Sequence, residues 1–165
     1  MRFGRCKGRR TLTEDSSIHT CLWFDGKGLE AAKFYVNLIP GSELHTSDAG
    51  DGEPLLVSFT LGGVPYQIIN GGPHYQLNPA CSIAVTTPDQ DETDRIWDAL
   101  VAGGGEASQC GWLVDRWGVS WQVYPRALPE MLGSDDREAA ARAQKAMLGM
   151  SKIDIAAMRS AFEGN

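Results

Sequence analysis

The 165 residues suffice for one domain or for two small modules sharing a core, and a content of 42% hydrophobic and 22% charged residues is that of an ordinary globular chain. No apolar run approaches the roughly 20 residues that span a bilayer, which excludes a helical membrane protein. The net charge of −6 argues against a nucleic-acid partner. Arg2, Arg5, Lys7, Arg9 and Arg10 crowd the first ten positions, and the rest of the chain sets ten basic residues against 21 acidic ones, a balance that repels phosphate backbones.

That basic start has no apolar run behind it and is not read as a signal peptide. Residues 1–17 are expected to be a disordered leader. Residues 18–24 (IHTCLWF) then read as a strand, Asp25-Gly26-Lys27-Gly28 as a turn, and 29–38 as a helix whose apolar side carries Leu29, Ala32, Phe34, Tyr35 and Leu38. Pro40-Gly41 ends the helix. A short strand at 42–46 and a polar loop at 48–53 precede two strands, 54–61 and 64–70, paired as a hairpin across Gly62-Gly63. Residues 71–79 form a linker.

The pattern then restarts. Residues 81–85 read as a strand and 90–102 as a helix with Ile96, Trp97 and Leu100 apolar, ended by Gly103-Gly104-Gly105. Strands near 107–110, 111–115 and 119–124 complete the set. The last one alternates, with Val119, Trp121 and Val123 on one face and Ser120, Gln122 and Tyr124 on the other. Gly63-Val64-Pro65-Tyr66-Gln67-Ile68 is echoed by Gly118-Val119-Ser120-Trp121-Gln122-Val123 at an offset of 55, whereas an ungapped match from strand to helix gives 62 and pairs Thr20 with Ser82 and Tyr35 with Trp97. The second module therefore has shorter connections. The fold class is α+β, with paired βαβββ modules at 18–72 and 79–125 followed by a helical extension over 126–165. In that extension Ser134 precedes Asp135, Asp136 and Glu138, acids suited to a helix start; Ser151 is placed as the cap of a last helix, with Ile153, Ala157, Met158 and Ala161 as its packed stripe.

The cysteines, Cys6, Cys21, Cys81 and Cys110, form no C-x-x-C pair, which argues against a structural zinc site and for a reducing, cytoplasmic compartment. Cys21 and Cys81 read as small core residues and Cys110, beside Gly111 in a loop, as the one candidate reactive thiol. His45 and His74 are expected at the surface, Asp115-Arg116 as a turn with a surface ion pair, and Trp23, Trp112, Trp117 and Trp121 mainly in the core, with one or two lining a cavity. No Ser-His-Asp constellation can be assembled, and no catalytic residue is assigned.

The phrases LWFDG (22–26), AAKFY (31–35), INGGP (69–73), CGWLVDRWGVSWQVYP (110–125) and KIDIAAM (152–158) resemble the PhnB-like branch of the vicinal-oxygen-chelate superfamily, alongside glyoxalase I, bleomycin-resistance proteins and extradiol dioxygenases. The resemblance implies sheets that curl around a cavity and a homodimeric assembly. Metal enzymes of that superfamily take His or Glu ligands from the first and last strands of each module. Carried over, those positions fall on Thr20, Gln67, Ser82 and Gln122. Neutral amides and hydroxyls are poor donors for Zn, Ni, Fe or Mn, so no metal and no cofactor is expected. The four residues are instead expected to bind a small-molecule ligand. The functions weighed are a small-molecule-binding protein, a metal-dependent lyase or dioxygenase of the glyoxalase type, the 3-demethylubiquinone 3-methyltransferase of the family's label, and a non-catalytic dimeric scaffold. The methyltransferase lacks a glycine-rich strand–helix turn in the sequence, because Gly103–Gly105 follows a helix.

Overall fold

The computed structural model describes residues 18–46 and 52–165. The expected leader at 1–17 and most of the expected loop at 48–53 lie outside them. The chain divides into two compact units between Tyr75 and Gln76.

The first unit runs β1 (Thr20–Phe24), α1 (Gly28–Leu38), β2 (Glu43–Leu44), β3 (Leu56–Leu61) and β4 (Val64–Asn70). Its sheet has the order β1-β4-β3-β2, with β1 parallel to β4 and the other pairs antiparallel. Gly62 and Gly63 hold φ of 53° and 83°, the positive values that a two-residue hairpin loop needs, and Leu61 pairs directly with Val64. Alternation separates the two faces. Leu22, Phe24, Val57, Phe59 and Ile68 are buried under α1, whose Ala31, Ala32, Tyr35 and Leu38 are buried in return. The small alanines let the helix approach the sheet, and the Tyr35 and Phe59 rings lie 6.4 Å apart. Cys21, Trp23, Ser58, Gln67 and Ile69 occupy the other, open face.

The start of α1 is held by residues far along the chain. Lys27, in the left-handed region at φ 62°, offers no side-chain cap. Asn70 Oδ1 accepts from the Gly28 amide at 3.0 Å, and Glu53 Oε2 from the Leu29 amide at 3.2 Å. Asn70 Nδ2 in turn donates to Pro54 O at 2.7 Å. A Cβ on Gly28 would come within 2.5 Å of Ile68 Cγ2 and 2.6 Å of Asn70 Oδ1, so only glycine allows this contact.

The second unit repeats the plan with β5 (Ile83–Thr87), α2 (Gln90–Val101), β6 (Glu106–Ala107), β7 (Trp112–Val114) and β8 (Ser120–Pro125), in the order β5-β8-β7-β6. Ile83, Leu113, Trp121 and Val123 are buried against Ile96, Trp97 and Leu100 of α2. Asp89 caps that helix by accepting from the Glu92 amide at 2.9 Å. The turn into β8 is built on Asp115, which is 4% exposed rather than at the surface. Its Oδ1 accepts from the Trp117 and Val119 amides at 2.9 and 3.0 Å, and its Oδ2 from Trp121 Nε1 at 2.8 Å. Arg116 lies over the Trp117 ring, 4.0 Å from its centroid. Neither four-stranded sheet closes on itself.

Three helices complete this unit: α3 (Ala127–Leu132), α4 (Arg137–Leu148) and α5 (Ile155–Glu163). The short α3 carries no readable period in the sequence. Asp136 caps α4, and Asp154, not Ser151, caps α5 by accepting from the Ala157 amide at 2.9 Å. Ser151 instead donates its hydroxyl to Ser108 O. Leu128, Met131, Ala143, Ile153 and Met158 form a second hydrophobic cluster, with Tyr124 of β8 packed on it, while Ala157 is exposed. The Gln90 side chain fastens the extension to α2: its Oε1 accepts from the Ile155 amide at 2.8 Å and its Nε2 donates to Ile153 O at 3.1 Å. Lys152 reaches Asp94 at 2.9 Å and Asp98 at 3.1 Å.

Candidate functional site

The open face of the second sheet gathers most of the chemistry. Gln122 pairs with Ala84 on β5 and with Trp112 on β7, so its side chain shares a face with Ser82, Trp112 and Tyr124. Gln122 Nε2 donates to Ser82 Oγ at 2.8 Å. That bond orients the amide and leaves its carbonyl oxygen directed elsewhere. A pocket of about 330 Å³ adjoins it, lined by Gln122, Trp112, Tyr124 and Cys110 on one side and by Leu128, Pro129, Leu132 and Met147 of the extension on the other. The Cys110 thiol contacts Met147 O at 3.6 Å, and its backbone sits at φ 58°, held there by the Cys110 and Gly111 amides donating to Met150 O and Ser151 O at 2.8 Å each.

In the first unit the strand register separates two residues expected to act together. Cys21, not Thr20, lies opposite Gln67. Thr20 therefore belongs to the face that Leu22 and Phe24 bury under α1, and is itself exposed at the start of the strand. Continuing the alternation puts His19 beside Cys21 on the Gln67 face. Matching the two glutamines through their strand partners pairs Cys21 with Ala84, an offset of 63, so the counterpart of Ser82 is His19. The reason is a turn. Three residues separate β1 from α1 and two separate β5 from α2, so the helices keep the offset of 62 while the strands do not. Gln67 and Gln122 do occupy equivalent last strands, each entered through a glycine at positive φ, 83° at Gly63 and 88° at Gly118.

Other expectations are also revised. Cys21 and Cys81 are exposed, not core. Burial of its sulfur nevertheless raises the pKa of Cys21, which keeps that thiol protonated. Trp121 is wholly buried, Trp112 lines the pocket, and Trp23 donates from Nε1 to Gly72 O at 2.8 Å. His74 is exposed, whereas His45 Nε2 is enclosed with no hydrogen-bond partner among the described residues. Among the described residues no three His, Cys, Asp or Glu side chains converge as a metal site. None of the described helices is long and apolar enough to cross a membrane.

A family model described as 3-demethylubiquinone-9 3-methyltransferase matches residues 16–124, from just before β1 to the penultimate residue of β8. The chain belongs to that family. It is a PhnB-like member of the vicinal-oxygen-chelate superfamily. The PhnB protein of Bacillus cereus is 29% identical with a TM-score of 0.59, the match covering 67% of this chain and 99% of that one. Protein PA1353 of Pseudomonas aeruginosa, 24% identical with a TM-score of 0.54, shares the fold over 66% of this chain and 96% of its own. No curated protein matches. In this PhnB-like chain α3, α4 and α5 lie beyond the residues that the family model matches, so one wall of the Gln122 pocket is built from outside the matched region.

Proposed function

We propose that this PhnB-like chain is a small-molecule-binding protein, with its ligand held on the open face of the second sheet and no tightly bound metal. The carrying observation is the Gln122–Ser82 hydrogen bond beside a pocket with apolar walls. Pockets of this kind combine a large apolar lining with a few fixed polar groups. Gln122 supplies such a group without charge, and Trp112 and Tyr124 offer flat surfaces, so an uncharged molecule with an apolar body fits. Gln67, on the open face of the first sheet, is assigned the same kind of contact; Thr20 is replaced by His19 as its strand-level companion.

The superfamily's divalent metal does not suit the donors at these positions. With the register corrected the first unit offers His19 and Gln67 and the second offers Ser82 and Gln122, and neither one imidazole with an amide nor a hydroxyl with an amide is a strong donor set for a transition metal. A methyltransferase reading also finds little support. A cofactor cradled at a strand–helix turn needs free helix-start amides. Here those of α1 are taken by Asn70 and Glu53, and α2 is capped by Asp89. A homodimer in the cytoplasm belongs to the same proposal and rests on family resemblance; light scattering at micromolar concentration tests the dimer.

The deciding experiment is a screen of uncharged aromatic amides and lactams against isotope-labelled protein. Binders should shift the Gln122 side-chain amide and the Trp112 indole together, and Gln122→Leu should weaken them. A screen in which no compound moves those signals, or tight Ni, Zn, Fe or Mn binding in calorimetry, overturns the reading.

A further inference from the structure

A second pocket, also of about 330 Å³, opens on the same face of the second sheet, lined by Pro79, Ser108, Trp112, Leu113, Val114 and Ser120. Gln122 lines the first pocket, Ser120 the second and Trp112 both. Ser120 lies two residues before Gln122 on β8, opposite Val114, and therefore projects to the same side.

Ser120 is 1% exposed, and its Oγ has no hydrogen-bond partner among the described residues. A hydroxyl removed from water and left unpaired is unfavourable, and buried polar groups are nearly always satisfied. Among its pocket neighbours, Val114, Leu113 and Pro79 offer no side-chain polar group, and neither the Trp112 indole nor the Ser108 hydroxyl bonds to it. Nothing in the local fold demands serine there, because alanine or valine would suit a buried strand position equally well. The hydroxyl is therefore a polar group aimed into an apolar pocket and waiting for a partner that the described residues do not supply. Among the described residues no ionisable side chain lines the pocket, which disfavours a charged occupant.

We infer that the Ser120 pocket is a second recognition site, distinct from the Gln122 pocket, which takes a flat, uncharged aromatic group bearing one carbonyl oxygen that accepts a hydrogen bond from Ser120 Oγ. Trp112 forms the shared wall, so a planar ligand in either pocket stacks on or abuts the same indole.

The test uses the whole chain and two probes of the same shape. Acetophenone carries the carbonyl; α-methylstyrene replaces its oxygen with a methylene. Binding is followed by titrating isotope-labelled protein and reading the Ser120 backbone amide and the Trp112 indole. Acetophenone should shift both signals. Ser120→Ala should weaken it about fivefold to tenfold, the worth of one hydrogen bond, and leave α-methylstyrene unchanged. The variant should melt no lower than the parent, since it deletes an unpaired group. Ser120→Cys, similar in shape but a weak donor, serves the same comparison should alanine disturb the fold. Gln122→Leu should leave acetophenone binding intact, which separates this inference from the proposed function. It is overturned if neither probe binds at millimolar concentration, as when only water fills the pocket. It is overturned too if the Ser120 variants weaken both probes alike or neither, or if Gln122→Leu abolishes acetophenone binding.

Discussion

Gln122 and Ser82 are joined by a 2.8 Å hydrogen bond across the parallel pair β5–β8, although 40 residues of chain separate them. The bond exists because Ala84, not Ser82, lies opposite Gln122; Ser82 is one alternation earlier on the same face, where the long glutamine side chain can reach it. In the first unit the same geometry sets Gln67 opposite Cys21 and leaves His19 in the place that Ser82 holds.

Ser82→Ala should therefore cost about 0.5–1.5 kcal/mol, the usual net worth of a half-buried hydrogen bond. Urea unfolding gives that number. The same variant should broaden the Gln122 side-chain amide signals, because among the described residues no other hydrogen bond orients that amide.

Asp115 should matter more. Ala at this position strips three donors, two amides and the Trp121 indole, of one buried acceptor group. A loss of about 2–4 kcal/mol is expected. Asn keeps one carbonyl oxygen but must turn an NH2 towards at least one donor, so a loss of about 1–3 kcal/mol should remain. Equilibrium unfolding of both variants checks the order, and near-ultraviolet dichroism should report the released indole.

Gly28→Ala is expected to destabilise although alanine is intrinsically the better helix former by about 1 kcal/mol. The added methyl meets Ile68 and Asn70 at distances no relaxed structure keeps, which should cost about 1–3 kcal/mol. Thermal unfolding decides; a raised melting temperature would show that α1 can move off the sheet freely.

The contact of Lys152 with Asp94 carries a pH dependence of known sign. Its hydrogen bond from Lys152 holds the Asp94 carboxyl below the usual carboxylate range, and the Asp94 bond raises Lys152. The Asp94 contribution is present above the unfolded carboxylate pKa and is lost as pH falls through the lower folded value. The Lys152 contribution is present below the unfolded lysine pKa and fades as pH rises through the raised folded one. Both side chains are partly exposed, so the effect at neutral pH should be well under about 1 kcal/mol and should shrink in salt. Lys152→Met should remove the pair's share of the stability lost between about pH 5 and about pH 2, measured by urea unfolding across that range.

Several features were decided by local pattern alone. The period-two runs at Val64–Asn70 and Ser120–Pro125, the helical stripes through Tyr35 and Trp97, and the Gly63 and Gly118 turns need only neighbours within a few residues, and they specify two βαβββ units and their buried faces. The neutral donors at Gln67, Ser82 and Gln122 were equally visible. What the tertiary structure decided is how those pieces register. One residue more or less in a surface turn costs almost nothing in chain entropy and leaves no mark on the periodicity, yet it reverses the face of every residue in a strand, which is why Thr20 and His19 exchange places. The capping of α1 by Asn70 and Glu53, the burial of Asp115 and the packing of Leu128, Pro129 and Met147 beside Gln122 depend on groups brought together from distant parts of the chain. No local pattern records such encounters, because hydrogen bonding and burial act on distances in space and not on distances along the sequence.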